Sequence, residues 1–234
     1  MTLPRERISL EPGWVLHSRE YRDTSRILDV FSAAHGRITL FARGARGPKS
    51  KLASLLMPFR PLLVSWTGRG DAAQLTGAEP HGDLTALPSR QVLSGFYLNE
   101  LIISLTTRHD PQPQLFDDYA AALRSLASDA AAEPTLRVFE KRLLASLGYG
   151  LEFDVQAGTY YRFHVGEGLA EVREDSPGAY SGRCLLALQQ ERLADVETLD
   201  VARRVLRQAL DHCLEGRELR TRTVARSMVR RGDS

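Results

Sequence analysis

Five cations, Arg37, Arg43, Arg46, Lys49 and Lys51, fall within fifteen residues that contain no carboxylate. A solvated charged loop usually mixes signs to limit self-repulsion. The unmixed run therefore points to a polyanionic partner whose phosphates the guanidinium and ammonium groups would meet. A second basic set, Arg203, Arg204 and Arg207, sits in the helical pattern VARRVLRQAL. Arg203 and Arg207 are four apart and share a helix face, with Arg204 on the adjoining stripe. From the residues alone, this set reads equally as a solvated face with Asp200 and Asp211 as local partners.

Catalytic chemistry has little to stand on. No G-x-x-x-x-G-K-[ST] loop is present to cradle a nucleotide's phosphates. The six histidines form no H-E-x-x-H or H-x-E pair that would hold zinc. Asp117-Asp118 and the acidic stretch Glu171–Asp175 are the carboxylates a magnesium-dependent nuclease would use. Paired carboxylates at a helix start, however, more often complement the helix dipole. Ser18, Ser25 and Ser50 have no histidine base at a suitable spacing. The chain reads as a non-enzyme with no cofactor and no metal.

The elements that must carry the basic loop are short strands. Arg37–Ala42 alternates polar and apolar residues, and Trp14–Tyr21, Ile27–Ser32, Pro61–Trp66 and Ala73–Glu79 read as further short strands between Gly-rich or polar turns. Five such strands in a short span predict a closed barrel, because closure removes exposed edges. The five-stranded OB barrel fits, and an SH3-like barrel would give a similar pattern. After Pro80–Pro88 the pattern becomes helical, over Pro88–Thr107, Leu115–Ser128 and Glu133–Leu147. Gly-rich sequence then frames a small hairpin, Thr159–His164 with Leu169–Val172. Helical patterning resumes at Leu185–Leu193, Val196–Leu214 and, weakly, Glu218–Val229. The expected architecture is α+β: a five-stranded barrel domain of OB or SH3-like type over residues 1–80, then an α-helical bundle domain over 81–234 with a hairpin insert at about 150–182.

Composition agrees with an ordinary globular protein, 43% hydrophobic and 26% charged. No apolar run reaches the roughly 20 residues of a membrane-spanning helix. The opening MTLPRERISLEPGW lacks the apolar core of a secretory signal. Two cysteines, Cys184 and Cys213, fit free thiols in a reducing, cytoplasmic setting. The net charge of +2 hides an uneven layout. Residues 1–80 carry 12 Lys and Arg against 7 Asp and Glu, residues 81–182 carry 8 against 14, and residues 183–234 carry 11 against 8. Two basic ends flank an acidic middle.

Several motifs, in order along the chain, carry a family resemblance. They include Val15-Leu16-His17-Ser18-Arg19, Leu28-Asp29-Val30-Phe31, Ala42-Arg43-Gly44-Ala45-Arg46 and Met57-Pro58-Phe59. They continue with Tyr97-Leu98-Asn99-Glu100-Leu101, Arg137-Val138-Phe139-Glu140, Leu147-Gly148-Tyr149-Gly150 and Gly216-Arg217-Glu218-Leu219-Arg220-Thr221-Arg222. Through these the chain resembles the RecO family of bacterial recombination-mediator DNA repair proteins. The resemblance implies an OB-fold followed by a helical domain. It also implies binding of single- and double-stranded DNA and annealing of complementary strands. As partners it implies RecR, the acidic C-terminal tail of single-strand-binding protein (SSB), and, indirectly, RecA, which is loaded onto SSB-coated DNA. A cytoplasmic, nucleoid-associated location follows. Many relatives carry a four-cysteine zinc site after the Leu-Gly-Tyr motif. Here that region reads Asp154-Val155-Gln156-Ala157-Gly158, so the chain resembles the zinc-free members.

On this resemblance Arg37, Arg43, Arg46, Lys49 and Lys51 would contact phosphates, with Arg19, Arg22 and Arg26 as neighbours around the barrel. Phe41 and Phe59 are candidates to stack on bases, though aromatics at strand spacing are more often core. Arg203, Arg204 and Arg207 would take the carboxylates of the SSB tail. Arg137 is a further anchor, and Phe116 and Leu136 would line an apolar pocket for its terminal phenylalanine. Two rivals remain at this stage. One is a protein-interaction adaptor whose charge meets only an acidic partner. The other is a nuclease built on the acidic middle.

Overall fold

A computed structural model describes residues 7–46, 50–68, 70, 73–82, 86–128, 130–152 and 154–232, with side chains described as far as 228. The first five strands are β1 (Arg7–Tyr21), β2 (Ser25–Ser32), β3 (Gly36–Ala42), β4 (Pro61–Thr67) and β5 (Ala73–Pro80). They close into a barrel in the order β1-β2-β3-β5-β4, the arrangement of an OB-fold. All neighbours are antiparallel except β3 and β5, which run parallel through Leu40–Ala73 and Phe41–Gln74. A short helix, α1 (Lys51–Leu55), connects β3 to β4. Its five residues are too few for apolar periodicity to announce it.

β1 has fifteen residues because it serves two neighbours. Gly13–Tyr21 pairs with β2 and Arg7–Trp14 pairs with β4. Irregularities between Ile8 and Glu11 and between Val15 and His17 let it bend around the barrel. Gly13 sits where the partners change. A β-carbon there would fall 3.1 Å from Val30 Cγ1 and 3.2 Å from Val64 Cγ2. The interior is filled by Val15, Leu28, Val30, Ile38, Leu40, Leu62, Val64, Trp66 and Leu75 among others. Leu62, Val64 and Trp66 alternate with half-buried residues along β4, as barrel walls require. Leu56, just after α1, joins the same core.

The outer face of β1 and β2 is covered as well, so Gly13–Leu16 is buried without a break. The cover is α2 (Val92–Leu105), entered through a 3₁₀ turn at Ser89–Gln91, and α3 (Pro113–Ala127). Asn99 of α2, only 2% exposed, donates through Nδ2 to the Leu16 carbonyl at 2.8 Å. The hydroxyl of fully buried Tyr119 donates to Asn99 Oδ1 at 2.6 Å. Burial pushes the Tyr119 phenol well above its ordinary pKa, so it remains a neutral donor. Trp14 and Phe31 meet the Tyr119 ring edge-on at 5.6 and 6.2 Å. Gly36 begins β3 at φ +65°, and a β-carbon there would lie 2.1 Å from the Asp110 carbonyl oxygen. Only glycine lets the α2–α3 connection approach so closely.

The chain forms two compact units. The first comprises residues 1–129 with 221–234, and so includes the barrel, α2, α3 and the final helix α7 (Arg220–Gly232) from Thr221 onward. The Thr221 backbone N–H and hydroxyl both donate to Glu100 Oε2, at 2.9 and 2.6 Å. The second unit, 130–220, holds α4 (Ala132–Ser146), β6 (Tyr160–His164), β7 (Gly168–Val172), β8 (Tyr180–Ser181), α5 (Gly182–Gln189) and α6 (Val196–Cys213). The expected hairpin is β6–β7, and β8 adds a third strand on the other side of β6. Asp195 caps α6 by accepting from the Thr198 backbone N–H at 2.9 Å. Glu191 accepts from Lys141 and Arg142 of α4, and the Arg142 hydrogen bonds hold its carboxyl below the usual range. No helix among the described residues is long and apolar enough to cross a membrane.

Two stability predictions follow from the buried polar groups. Tyr119→Phe leaves Asn99 Oδ1 buried without its donor and is expected to cost about 1–3 kcal/mol in urea unfolding. A loss within error of zero would remove the relay from the account of how α3 is held. In the second unit Glu140, 1% exposed, pairs with Arg137 at 2.7 Å. Glu140→Ala strands that cation and should cost about 3–5 kcal/mol, whereas Arg137→Met with Glu140→Leu should recover most of the loss.

Candidate nucleic-acid interface

Strand register brings most of the first basic set together. Tyr21 pairs with Ser25 across the three-residue turn Arg22-Asp23-Thr24, and Arg26 pairs with Ala42. The β1–β2 turn and the chain leaving β3 therefore lie at one end of the barrel. The Arg46 backbone N–H donates to the Thr24 carbonyl at 3.1 Å, fastening the loop to the turn. Arg46 itself is partly engaged, with Glu20 at 2.7 Å and the Arg22 carbonyl at 3.3 Å. Arg19, Arg26 and Arg43 have no ion-pair partner among the described residues, and Arg19 and Arg43 are exposed. Lys51 is exposed at the first position of α1. Five arginines (19, 22, 26, 43, 46) against Glu20 and Asp23 leave this end with a net charge of +3. A surface of this charge suits phosphates and carries no means of reading bases.

Arg37 does not join them. It is the second residue of β3 while Arg43 follows the far end, about 20 Å away at strand rise. Its Nη2 donates to the Thr106 carbonyl at 2.8 Å, and its Nε is buried without a partner. Burial, reinforced by neighbouring Arg108 and opposed by Asp29, lowers its pKa. Arg108 in turn pairs with Asp29 at 3.0 Å. Arg37 thus seats the end of α2 on the barrel, whereas its sequence position suggested a phosphate ligand. Lys49 lies outside the described residues.

The aromatics also divide. Phe41 is half-buried at the basic end, where its ring meets that of Tyr21 at 5.6 Å and 74°. Tyr21 is 36% exposed, and the Arg22 guanidinium lies 5.1 Å over its ring. Sequence reading passed over Tyr21; the signal was an aromatic at the last strand position, directly before a basic turn. Phe59 belongs elsewhere, packed at 4.9 Å against Phe96.

The second basic set lies on the outer stripe of α6, opposite buried Val201, Val205 and Leu206. Arg203 and Arg204 share Asp200, Arg203 also reaches Glu133 at 3.8 Å, and Arg207 faces Asp211 at 3.7 Å. Arg204 additionally lies over the Tyr180 ring at 5.1 Å. Leu136 is half-buried on α4 in the same unit. Arg137, 9% exposed, pairs through Nη2 with Glu140 at 2.7 Å, and its Nε is buried without a partner. Phe116 is in the first unit, where it packs on Phe31 at 5.5 Å. It walls a cleft of about 610 Å³ with Trp14, Leu62, Leu123 and Arg124. The six residues expected around the SSB tail therefore fall in two units. Among the described residues no three His, Cys, Asp or Glu side chains converge as metal ligands do.

Comparison with known proteins matches both halves. The family profile described as Recombination protein O N terminal covers residues 8–83, and that described as Recombination protein O C terminal covers residues 90–223. The chain is 39% identical over 229 residues to the DNA repair protein RecO of Methylococcus capsulatus, spanning 94% of each. It is 40% identical over 238 residues to that of an Azoarcus species, spanning 96% of this chain and 98% of the relative. It is also 40% identical over 237 residues to that of Nitrosococcus oceani, spanning 97% and 96%. With a basic-ended OB barrel leading into helices and relatives matched along nearly its whole length, the chain belongs to the RecO family of DNA repair proteins.

Proposed function

We propose that this protein binds single- and double-stranded DNA at the basic end of its barrel and anneals complementary strands there. The observation that carries the reading is the convergence of Arg19, Arg22, Arg26, Arg43 and Arg46 on one barrel end, with Arg19, Arg26 and Arg43 unpaired among the described residues. Lys51, exposed at the first position of α1, follows them along the chain. Annealing here is not catalysis in the covalent sense and consumes no fuel. Two strands neutralised on one cationic surface lose much of their mutual repulsion, and base pairing proceeds. Membership in a DNA repair family supports the wider role: with RecR, the protein helps load RecA onto SSB-coated single strands, in the cytoplasm at the nucleoid.

In the same reading the SSB tail docks on α6. Arg203, Arg204 and Arg207 exchange their partners Asp200 and Asp211 for the tail's carboxylates, with Leu136 beside them. Arg137, paired with Glu140 on the same helix, is a further candidate anchor on α4. The cleft beside Phe116 and Arg124 is the other place an acidic, phenylalanine-ended peptide fits.

Two experiments test this. Fluorescence anisotropy of labelled single-stranded DNA across a salt series should give a steep loss of affinity with salt. Reversing Arg43 and Arg46 to Glu should abolish annealing and lower the salt slope by about 1–2, given roughly 0.7 per phosphate contact. Unchanged annealing in a folded variant removes the basic end from the mechanism. Negligible binding by the wild type at low salt leaves a protein-interaction adaptor. For the tail, Arg203→Glu with Arg207→Glu should weaken an acidic-tail peptide about 10- to 100-fold, the loss of one or two charged hydrogen bonds. Loss on Arg124→Glu instead would place the tail in the first unit's cleft.

A further inference from the structure

We infer that Tyr21, braced by Phe41, is a base-stacking platform that makes the basic end of the barrel prefer unpaired strands to duplex. The inference rests on the reading that DNA binds at this end.

Tyr21 is the last residue of β1, 36% exposed, and stands outside the barrel's core cluster. Its hydroxyl has no hydrogen-bond partner among the described residues. The other large aromatics on this side of the sheet, Trp14 and Phe31, are sealed by Tyr119 and Phe116. At the Tyr21 end that cover is missing. The Phe41 ring at 5.6 Å and 74° holds Tyr21 in place from the side, so little side-chain freedom is lost when a base stacks.

The backbone adds a second observation. Arg22 adopts φ +53°, a left-handed conformation uncommon for a side-chain-bearing residue. Glycine would hold that turn more cheaply. The conformation instead sets the Arg22 guanidinium 5.1 Å over the Tyr21 ring, and Arg22 has no ion-pair partner among the described residues. A cation and a π-face are thereby offered together, the two groups that one nucleotide's phosphate and base require. Exposed, unpaired Arg19 and Arg43 supply phosphate contacts on either side.

Bases inside a duplex are already stacked on their neighbours and cannot reach a protein ring, whereas an unpaired base can. Stacking engages the flat face of the base and leaves its pairing edge free. A strand held in this way stays competent to meet its complement. The duplex that forms loses the stacking contact and keeps only the phosphate contacts, so the product is held less tightly than the substrate. Selection is for strandedness, with little regard to base identity.

The test uses the full chain, an oligothymidylate and a duplex of equal length. Tyr21→Ala should weaken single-strand binding about 5- to 150-fold, the range for one stacked base, and leave duplex binding within about twofold. Tyr21→Phe should bind as the wild type does. Tyr21→Leu, apolar without a π-face, should lose affinity like the alanine variant. A 2-aminopurine placed in the single strand should be quenched by the wild type and by Tyr21→Phe alone. Equal losses on both substrates, or none on the single strand, overturn the inference. Arg43→Glu separates it from its foundation. Losses on both substrates support binding at this end, and no loss on either removes that reading whatever Tyr21 does. A wild type that binds neither substrate ends both.

Discussion

The first unit hangs on a two-step hydrogen-bond relay from Tyr119 through Asn99 to the backbone of Leu16. Each polar atom in it is buried and answered, which is the condition for such a relay to hold parts together rather than weaken the core. Around it Trp14, Phe31 and Tyr119 interlock edge to face. The relay decides which part of the sheet is available. Where α2 and α3 dock, aromatics are sealed and Arg37 is drawn onto the Thr106 carbonyl. Where they stop, the same face continues into Arg19, Tyr21 and Phe41. The proposed interface is what the helices leave uncovered.

The two arginine groups differ in electrostatic state more than in number. On α6 Asp200 serves two arginines, and Asp211 and Glu133 add further carboxylates. A ligand must displace those partners, so the gain on binding is the difference between two sets of ion pairs, each already well solvated. At the barrel end Arg46 alone of the exposed arginines holds a carboxylate, and Arg19 and Arg43 hold none among the described residues. A phosphate arriving there displaces only water and counterions, and attraction is stronger for the same formal charge.

Periodicity made the barrel legible. The short strands show between their turn residues, and the basic loop shows by its missing carboxylates, because both are properties of neighbouring residues. What stayed hidden depends on distant ones. Arg37 meets Thr106 across 69 positions, and Asn99 meets Leu16 across 83. Nothing local to Arg37 distinguishes it from Arg43. Arg137, an expected anchor for the SSB tail, is buried against Glu140 three residues on. Tyr21 was overlooked because a strand-end aromatic normally belongs to the core, and only the edge of the helical cover leaves this one in the open.

The discontinuity of the first unit bears on how the protein is made. Glu100 of α2 receives both donors of Thr221, 121 positions later. On the ribosome, the barrel and its two covering helices emerge early, and the whole second unit is then synthesised before α7 appears. For that interval Glu100 lacks the two hydrogen bonds that Thr221 supplies. Completion of the earliest part of the molecule is thus deferred to its last segment. A nascent chain stopped short of Thr221 carries every strand of the barrel and still leaves its helical flank unfinished.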